Sequence, residues 1–231
     1  MDNVKSLPRK ARAARTRAAI IRAATEEFRS SGYHGTTMAA IAKRARVAVQ
    51  TVYFVFHTKP ALLTAAFDSA VMGEDDPAAP EETSWWQEGT TTTDGRKAIE
   101  LFVTNVAEIS TRAAVLDRVA LAAATTDPEI VDLIARHESL RTQGFRTYID
   151  TLAARGLLQD ELDPSEATDV LLTLAGADVF LNFTEGRGWT LQRYVRWTTE
   201  ALWGLLLRSP AGGPIHPGKT SDASTPKSCR P

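Results

Sequence analysis

Apolar residues recur along most of the chain at intervals of three and four, which is the spacing of an amphipathic α-helix. In the first third of the chain this pattern predicts four helices: one from about Arg15 to a cap at Gly32, two short ones on either side of a turn at 46–48, and a fourth that Lys59 and Pro60 open. No segment alternates convincingly between apolar and polar residues, as a half-buried strand does. The pattern therefore predicts an all-α protein.

The pattern is interrupted between about Gly73 and Gly95, where Asp, Pro, Glu, Gly and Thr prevail and a long connecting loop is predicted. Helical spacing then resumes in five further segments. Two of them begin with an Asp-Pro pair, at Asp127 and at Asp163, which places proline in the first helical turn. The last begins near Thr190. About nine helices are expected in all, followed by a disordered tail over 208–231 that is rich in Gly, Pro, Ser and Lys.

Charge is distributed unevenly between two parts of the chain. Residues 1–60 contain twelve Lys and Arg against three Asp and Glu, a net charge of +9, whereas the rest contains fifteen cations and twenty-five anions, a net charge of −10. A basic segment joined to an acidic one favours a polyanion as the partner of the first segment only. On charge alone, a solvated charged surface explains the pattern equally well. Residues 1–12, which lack an apolar face, are predicted to form a disordered basic arm.

Several classes of function find no support in the sequence. The only cysteine, Cys229, lies near the end among Ser, Pro and Lys, so neither an internal disulfide nor a cysteine metal site is expected. The four histidines lack the spacing of metal ligands, and no glycine-rich phosphate loop follows a strand. No stretch approaches the roughly 18 uninterrupted apolar residues that a membrane helix needs, and the first residues lack a signal segment. We therefore expect a cytoplasmic protein without catalytic residues, cofactor, metal or membrane partner.

Residues 36–59, TTMAAIAKRARVAVQTVYFVFHTK, closely resemble the DNA-binding unit of the tetracycline-repressor (TetR) family. The shared features are the Thr-Thr start, the Ile-Ala pair of the second helix, the valine after the turn, Tyr53 with Phe56 three residues later, and Lys59 ahead of Leu62-Leu63. With the first helix included, the resemblance covers about residues 13–67, and beyond that only the helical plan is shared. It implies a three-helix helix-turn-helix domain over 13–58 whose third helix enters the major groove of double-stranded DNA.

The resemblance also implies which positions meet DNA. The groove-facing positions are Ala48, Val49, Gln50, Thr51, Tyr53 and Phe54, and the phosphate contacts are Thr37, Tyr53, His57 and Lys59. Only Gln50 and Thr51 carry clear hydrogen-bonding groups for base edges, so phosphate contacts are expected to dominate the affinity. Taken singly, Tyr53 and Phe54 are also explained as core residues, and His57 as a surface histidine.

The chain departs from the family pattern at the turn and at two helix starts. Arg46 replaces the usual glycine at a left-handed position, which costs on the order of 1 kcal/mol if the same backbone is kept. Ala48 replaces a hydroxyl cap, and Ala40 replaces the acidic residue of a capping box. We expect a formed but locally weaker motif, and we include Arg46 among the DNA-binding residues on the hypothesis that it contacts a backbone phosphate in compensation.

By the same resemblance, residues 59–207 form a larger helical domain that binds an effector and dimerises through its last two long helices. The apolar stretch 167–183 agrees with a homodimer, which would recognise an approximately palindromic operator. The candidates for the effector pocket are Phe102, Asn105, Phe145, Tyr148, Asp178 and Asn182. Core packing explains the aromatic candidates equally well. Trp85 and Trp86 either cover the pocket or pack on a neighbouring helix.

The sequence therefore predicts a DNA-binding transcriptional regulator, a repressor that a small-molecule effector releases from its operator. The alternative is a helical small-molecule-binding protein with weak or lost DNA binding, which Arg46 and the apolar third helix make conceivable.

Overall fold

The computed structural model describes residues 9–73 and 79–208. Within these ranges the chain forms ten α-helices: α1 (Arg9–Gly35), α2 (Met38–Ala45), α3 (Val49–Phe56), α4 (Lys59–Met72), α5 (Ser84–Thr91), α6 (Gly95–Ala124), α7 (Pro128–Ala154), α8 (Pro164–Leu174), α9 (Ala177–Thr184) and α10 (Leu191–Leu206). A short 3₁₀ helix, Pro80–Glu82, precedes α5, and Leu158 and Leu207 form an isolated antiparallel bridge. The predicted all-α class is confirmed.

The first four helices pack around one apolar core to which α1, α2, α3 and α4 all contribute, through side chains such as Phe28, Ile41, Val52 and Leu62. Gly32 interrupts α1 with a φ of 66°, a conformation that costs glycine little, and it turns the chain toward α2. The same core continues into α6 and α7, where Leu116 is fully buried. The helix-turn-helix therefore shares its hydrophobic core with α6 and α7 and is not a separate domain on a flexible linker.

The long helix α6 is the axis of the remaining fold, since α1, α4, α5, α7, α9 and α10 all contact it. Two further apolar clusters lie along it. One lies between α5, α6, α7, α8 and α10 and includes Phe102 and Tyr148, and a smaller one lies between α6, α9 and α10 around Phe180 and Tyr194.

Two regions differ from the sequence-based expectation, the start of the chain and the predicted loop. The helix α1 begins at Arg9, so residues 9–12 of the predicted disordered arm are helical, in keeping with the high helix propensity of Ala, Arg and Lys. The region 73–95, predicted as a loop, contains α5. Burial of Trp86 and Gly89 against neighbouring helices holds this short helix, although its threonines favour helix weakly.

Two further differences concern the long helices. The segments predicted separately around 99–106 and 116–123 form one helix, in which the Ser110 and Thr111 hydroxyls donate hydrogen bonds to carbonyls four residues earlier. The single helix predicted after Asp163 is instead divided at Gly176, whose backbone is extended. A Cβ at that position would lie 2.8 Å from the Leu172 carbonyl oxygen, so the chain can make this break only with glycine.

One stretch of the described residues, Pro164–Thr184, is long and apolar enough to cross a membrane, with a mean hydropathy of 1.2. The stretch contains Glu166, Asp169 and Asp178, so it is not the uninterrupted apolar run of a membrane helix that we expected to be absent. Composition alone is a weak indication, because core helices of water-soluble proteins pass the same test, and here the stretch is broken into α8 and α9. The predicted tail, apart from residue 208, and the first eight residues of the predicted arm lie outside the described residues.

Candidate nucleic-acid interface

The turn between α2 and α3 has the strained geometry predicted for it. Arg46 adopts the left-handed conformation, with φ 57° and ψ 43°, and its N–H donates to carbonyls at the end of α2. Thr37 caps α2, its hydroxyl accepting a hydrogen bond from the Ala40 N–H at 3.1 Å. Ala48 precedes α3 without any side-chain cap. The motif is thus formed, with an L-residue where glycine would cost less and with one bare helix start.

The surface of α3 is divided into an inner and an outer face. Val52 and Phe56 are buried in the core shared with α1 and α4. The opposite side presents the outer face of α3, which we define as Gln50, Tyr53, Phe54 and His57, at the i, i+3, i+4 and i+7 spacing of a single helical face. All four are exposed, Tyr53 at 50% and Phe54 at 82%. The interpretation of Tyr53 and Phe54 as core residues is therefore wrong.

The other predicted contact positions belong to the start of α2, the turn and the start of α3. Thr37, Arg46 and Ala48 are exposed, whereas Val49 and Thr51 are half-buried at the start of α3.

His57 ends α3 with a sharp bend that the sequence did not predict. Its φ of 59° and ψ of −55° lie in a region that L-residues rarely adopt, and the Thr58 N–H donates to the Phe56 carbonyl at 2.6 Å across it, as in a γ-turn. The Thr58 hydroxyl then caps α4 by accepting from the Ala61 N–H at 3.1 Å. Two strained residues, Arg46 and His57, thus bracket α3.

The cations around α3 fall into two groups. Within the described part of the chain, Lys43 and Arg46 are exposed and make no ion pair. Arg44 instead pairs with Glu27 of α1 at 2.7 Å, and the Arg17 guanidinium lies 4.6 Å above the Phe56 ring. Part of the positive charge counted in the sequence therefore serves to hold the three helices together.

Lys59, predicted as a phosphate contact, points inward. Its ammonium donates to the carbonyl of Tyr33 at 2.9 Å and lies 4.1 Å above the Tyr33 ring, and burial lowers its pKa. A cation at the carbonyl end of a helix is stabilised both by those carbonyls and by the helix dipole. The ammonium therefore closes the end of α1 in this structure.

The helix-turn-helix unit is tied to α7 by polar contacts. The Tyr33 hydroxyl donates to Asp127, the residue that caps α7, at 2.6 Å, and the pKa of Tyr33 is raised by burial and by this bond. In α4, Asp68 lies 3.1 Å from His137 and 3.2 Å from Arg136. Burial alone would raise the pKa of Asp68, and these two partners lower it below its ordinary value.

Three of the six predicted pocket residues do come together, but in a filled space. The ring of Phe102 lies 4.5 Å from that of Tyr148 and 4.8 Å from that of Phe145, and Trp86 closes the cluster at 5.2 Å from Tyr148. The buried Tyr148 hydroxyl donates to the Ala98 carbonyl at 2.7 Å. Gly89 is required beside it, because a Cβ there would overlap the Tyr148 hydroxyl. Of the two sequence-based interpretations of Trp86, packing on neighbouring helices is what the structure shows.

The other three candidates lie elsewhere. The Asn105 amide is half-buried and donates to the Leu101 carbonyl in its own helix at 2.8 Å. Asp178 and Asn182 are exposed on α9. An open groove of about 610 Å³ runs between α7 and α8, lined by polar side chains such as Glu138, Arg146 and Asp169, and it includes none of the six. Sequence spacing could not foresee this separation, since it depends on how α5 and α9 fold back onto α6.

Comparison with known proteins identifies the N-terminal unit. Residues 20–66 match the model of the family "Bacterial regulatory proteins, tetR family". No match was found among curated protein sequences.

The fold is shared with solved structures over most of the chain. A TetR-family transcriptional regulator from Mesorhizobium loti superposes with a TM-score of 0.63 at 22% identity, over 85% of this chain and 99% of the other. NalD, the secondary repressor of the MexAB-OprM multidrug efflux pump in Pseudomonas aeruginosa, gives 0.64 at 21% identity, over 86% and 98%. FadR from Bacillus subtilis, solved with stearoyl-CoA, gives 0.64 at 18% identity, over 80% and 96%. The family match spans nearly all of the helix-turn-helix, from the core face of α1 into α4, and this N-terminal unit therefore belongs to the TetR family of bacterial regulatory proteins.

Proposed function

We propose that this regulator binds a palindromic operator as a homodimer, through the outer face of α3, and that a small-molecule effector releases it. The observation that carries the proposal is the outer face itself. An exposed amide, two exposed aromatic rings and a histidine lie on one side of a short helix whose other side is fixed in the core. Such a helix can enter a major groove roughly 12 Å wide and reach base edges.

The surroundings of the outer face fit a polyanion. Lys43 and Arg46 precede α3 with exposed charges, and Thr37 and His57 are also exposed. Phosphate contacts from such groups set the register of a protein on DNA and make the affinity strongly salt-dependent. The ammonium of Lys59 joins them only if it leaves the end of α1. We expect the protein to act in the cytoplasm, where its operator lies.

Exposed apolar side chains on α10 support dimerisation. Leu191, Trp197 and Leu205 are exposed on this last helix, and Trp197 packs on Phe183 and Trp189 at its edge. Unpaired apolar surface of this kind is usually covered by another chain. A two-fold dimer would place two copies of α3 about one helical turn apart on DNA, which calls for a palindromic operator.

The effector site is proposed at the aromatic cluster of α6 and α7. Phe102, Phe145 and Tyr148 present apolar walls with one polar group, a composition that suits an apolar ligand. FadR is similar in fold and was solved with stearoyl-CoA, and NalD is a repressor, which together support an apolar effector and a repressing mode of action. A ligand can enter only if α5 and Trp86 give way, because they fill the space.

The test is the affinity of the purified chain for the DNA upstream of its own gene, measured by fluorescence anisotropy at several salt concentrations with excess competitor DNA. We expect binding that resists the competitor. Lys43→Ala and Arg46→Ala should each weaken it and reduce the salt slope by about 0.9 for one lost phosphate contact. The matched control Arg146→Ala removes an exposed arginine that pairs with Asp150 inside α7, and it should change neither quantity.

The alternative is a helical small-molecule-binding protein with weak or lost DNA binding. The left-handed Arg46 and the uncapped start of α3 favour it, because both weaken the motif. Binding that competitor DNA removes at every salt concentration, with Lys43→Ala and Arg146→Ala behaving alike, would contradict the proposal and favour this alternative.

A further inference from the structure

The most exposed large apolar side chain among the described residues is Phe54, at 82%. It lies at the centre of the outer face of α3, four residues after Gln50 and next to Tyr53. Its helix is fixed on the other side by the buried rings and aliphatic chains of the core, so the phenyl ring cannot turn inward. A phenyl ring left in water is unfavourable, and its position on the DNA-binding face indicates that the binding partner covers it.

The chemistry of α3 limits which bases it can read. The helix, VQTVYFVF, contains neither a cation nor a carboxylate. Guanine is most often read by arginine or lysine at its O6 and N7 atoms, and the cytosine amino group by aspartate or glutamate. Neither type of reader is present in the helix. Gln50 remains, whose amide matches the N7 and N6 atoms of adenine, and Phe54 remains, which offers an apolar contact for the C5-methyl group of thymine. Thr51 also faces the groove, but it is half-buried and its hydroxyl does not distinguish between bases.

Resting on the proposed DNA-binding function, we propose that Phe54 determines operator specificity by contacting thymine methyl groups, with Gln50 reading adenine, so that each operator half-site contains A·T pairs opposite α3. The flanking cations act on phosphates. Arg46 lies before the start of α3, beside the groove-facing helix and outside it. Phosphate contacts carry no direct sequence information, so discrimination is left to the amide and the two rings.

Thymine-to-uracil replacement tests this contact directly, since it removes the C5-methyl group and leaves base pairing intact. The preferred half-site is first selected from random duplexes with wild-type protein, and each thymine in it is then replaced singly by uracil. We expect an A·T-containing half-site in which one or two replacements each weaken wild-type binding about fourfold, the value for losing one buried methyl group. In Phe54→Ala the same replacements should have no effect.

Two controls separate this contact from general loss of structure. Phe54 is exposed, so Phe54→Ala should melt like wild type, and Leu140→Ala, which removes an exposed apolar side chain from α7, should keep the wild-type response to uracil. A half-site of G·C pairs, or equal responses to uracil in wild type and Phe54→Ala, would overturn the assignment while leaving DNA binding in place. Failure of the wild type to select any sequence would overturn the proposed function itself, and the assignment with it.

Discussion

The two ends of the molecule, the helix-turn-helix with α3 and the larger helical part around α6 and α7, use aromatic side chains in opposite ways. On α3, Tyr53 and Phe54 are exposed at 50% and 82%, on a helix whose inner face is held by the core. On α6 and α7, Phe102 and Tyr148 are completely buried, with Trp85 packed against Phe102 and Trp86 against Tyr148. A surface for a macromolecule is built from side chains that the fold leaves outside. A site for a small apolar molecule is instead enclosed by buried side chains. Its lining therefore has the same composition as a hydrophobic core.

The largest effect is expected where the two ends share one core. Leu116 of α6 is fully buried in the cluster that also holds α1 to α4, so Leu116→Ala should reduce the free energy of unfolding by about 2–5 kcal/mol. Denaturation by urea, followed both by tryptophan fluorescence and by circular dichroism, should show a single transition that shifts as a whole. Exposed Leu140→Ala should leave the transition within about 0.5 kcal/mol. Two separate transitions, only one of which shifts, would show that the ends fold independently.

The contrast between buried and exposed rings can be tested on two tyrosine hydroxyls. Tyr148→Phe removes the hydrogen bond that the buried hydroxyl donates to the Ala98 carbonyl, and it should cost about 1 kcal/mol of unfolding free energy. Tyr53→Phe removes an exposed hydroxyl and should leave stability unchanged while weakening DNA binding. The comparison would fail if Tyr53→Phe were the more destabilising of the two in urea titrations.

The strain at the turn allows stability and DNA binding to be separated. Arg46→Gly removes the cost of a left-handed L-residue and should stabilise the protein by about 1 kcal/mol, seen as a higher melting temperature. If the arginine contacts a phosphate, the same variant should bind DNA more weakly and with a lower salt slope. A variant that is both more stable and tighter on DNA would show that no such contact exists.

The smallest effect concerns a carboxylate far from the outer face. Burial raises the pKa of Asp117 in α6, and Asp178 of α9 adds to the shift. Because the folded state then holds the proton more tightly than the unfolded state, stability falls as the pH rises from the ordinary carboxyl range through the raised pKa. Asp117→Asn should therefore raise the melting temperature at pH 7, and it should not do so at pH 3, where the carboxyl is protonated in both states. An equal shift at both pH values would point to a cause other than this titration.

What the sequence could predict differs between the two ends for a physical reason. The turn geometry at Arg46, the bare start of α3 and the position of the Asp163 cap all depend on neighbours within a few residues, and the predictions agree with the structure. The inward turn of the Lys59 ammonium depends instead on where the end of α1 lies in space. The same holds for α5, which lies in a region predicted as a loop and is stabilised by the burial of Trp86 against α6 and α7. Interactions between distant segments leave little trace in local spacing.

The central claim is that the outer face of α3 recognises sequence, and the most direct measurement of it is the ratio of specific to nonspecific DNA affinity in Gln50→Ala. Gln50 is exposed and buries nothing in the core, so the variant should fold normally. Loss of an amide that pairs with adenine should weaken binding to the preferred duplex about tenfold or more, within the range of one bidentate base contact, and leave binding to random duplex and the salt slope unchanged. An unchanged ratio, or an equal loss on both duplexes, would contradict the account.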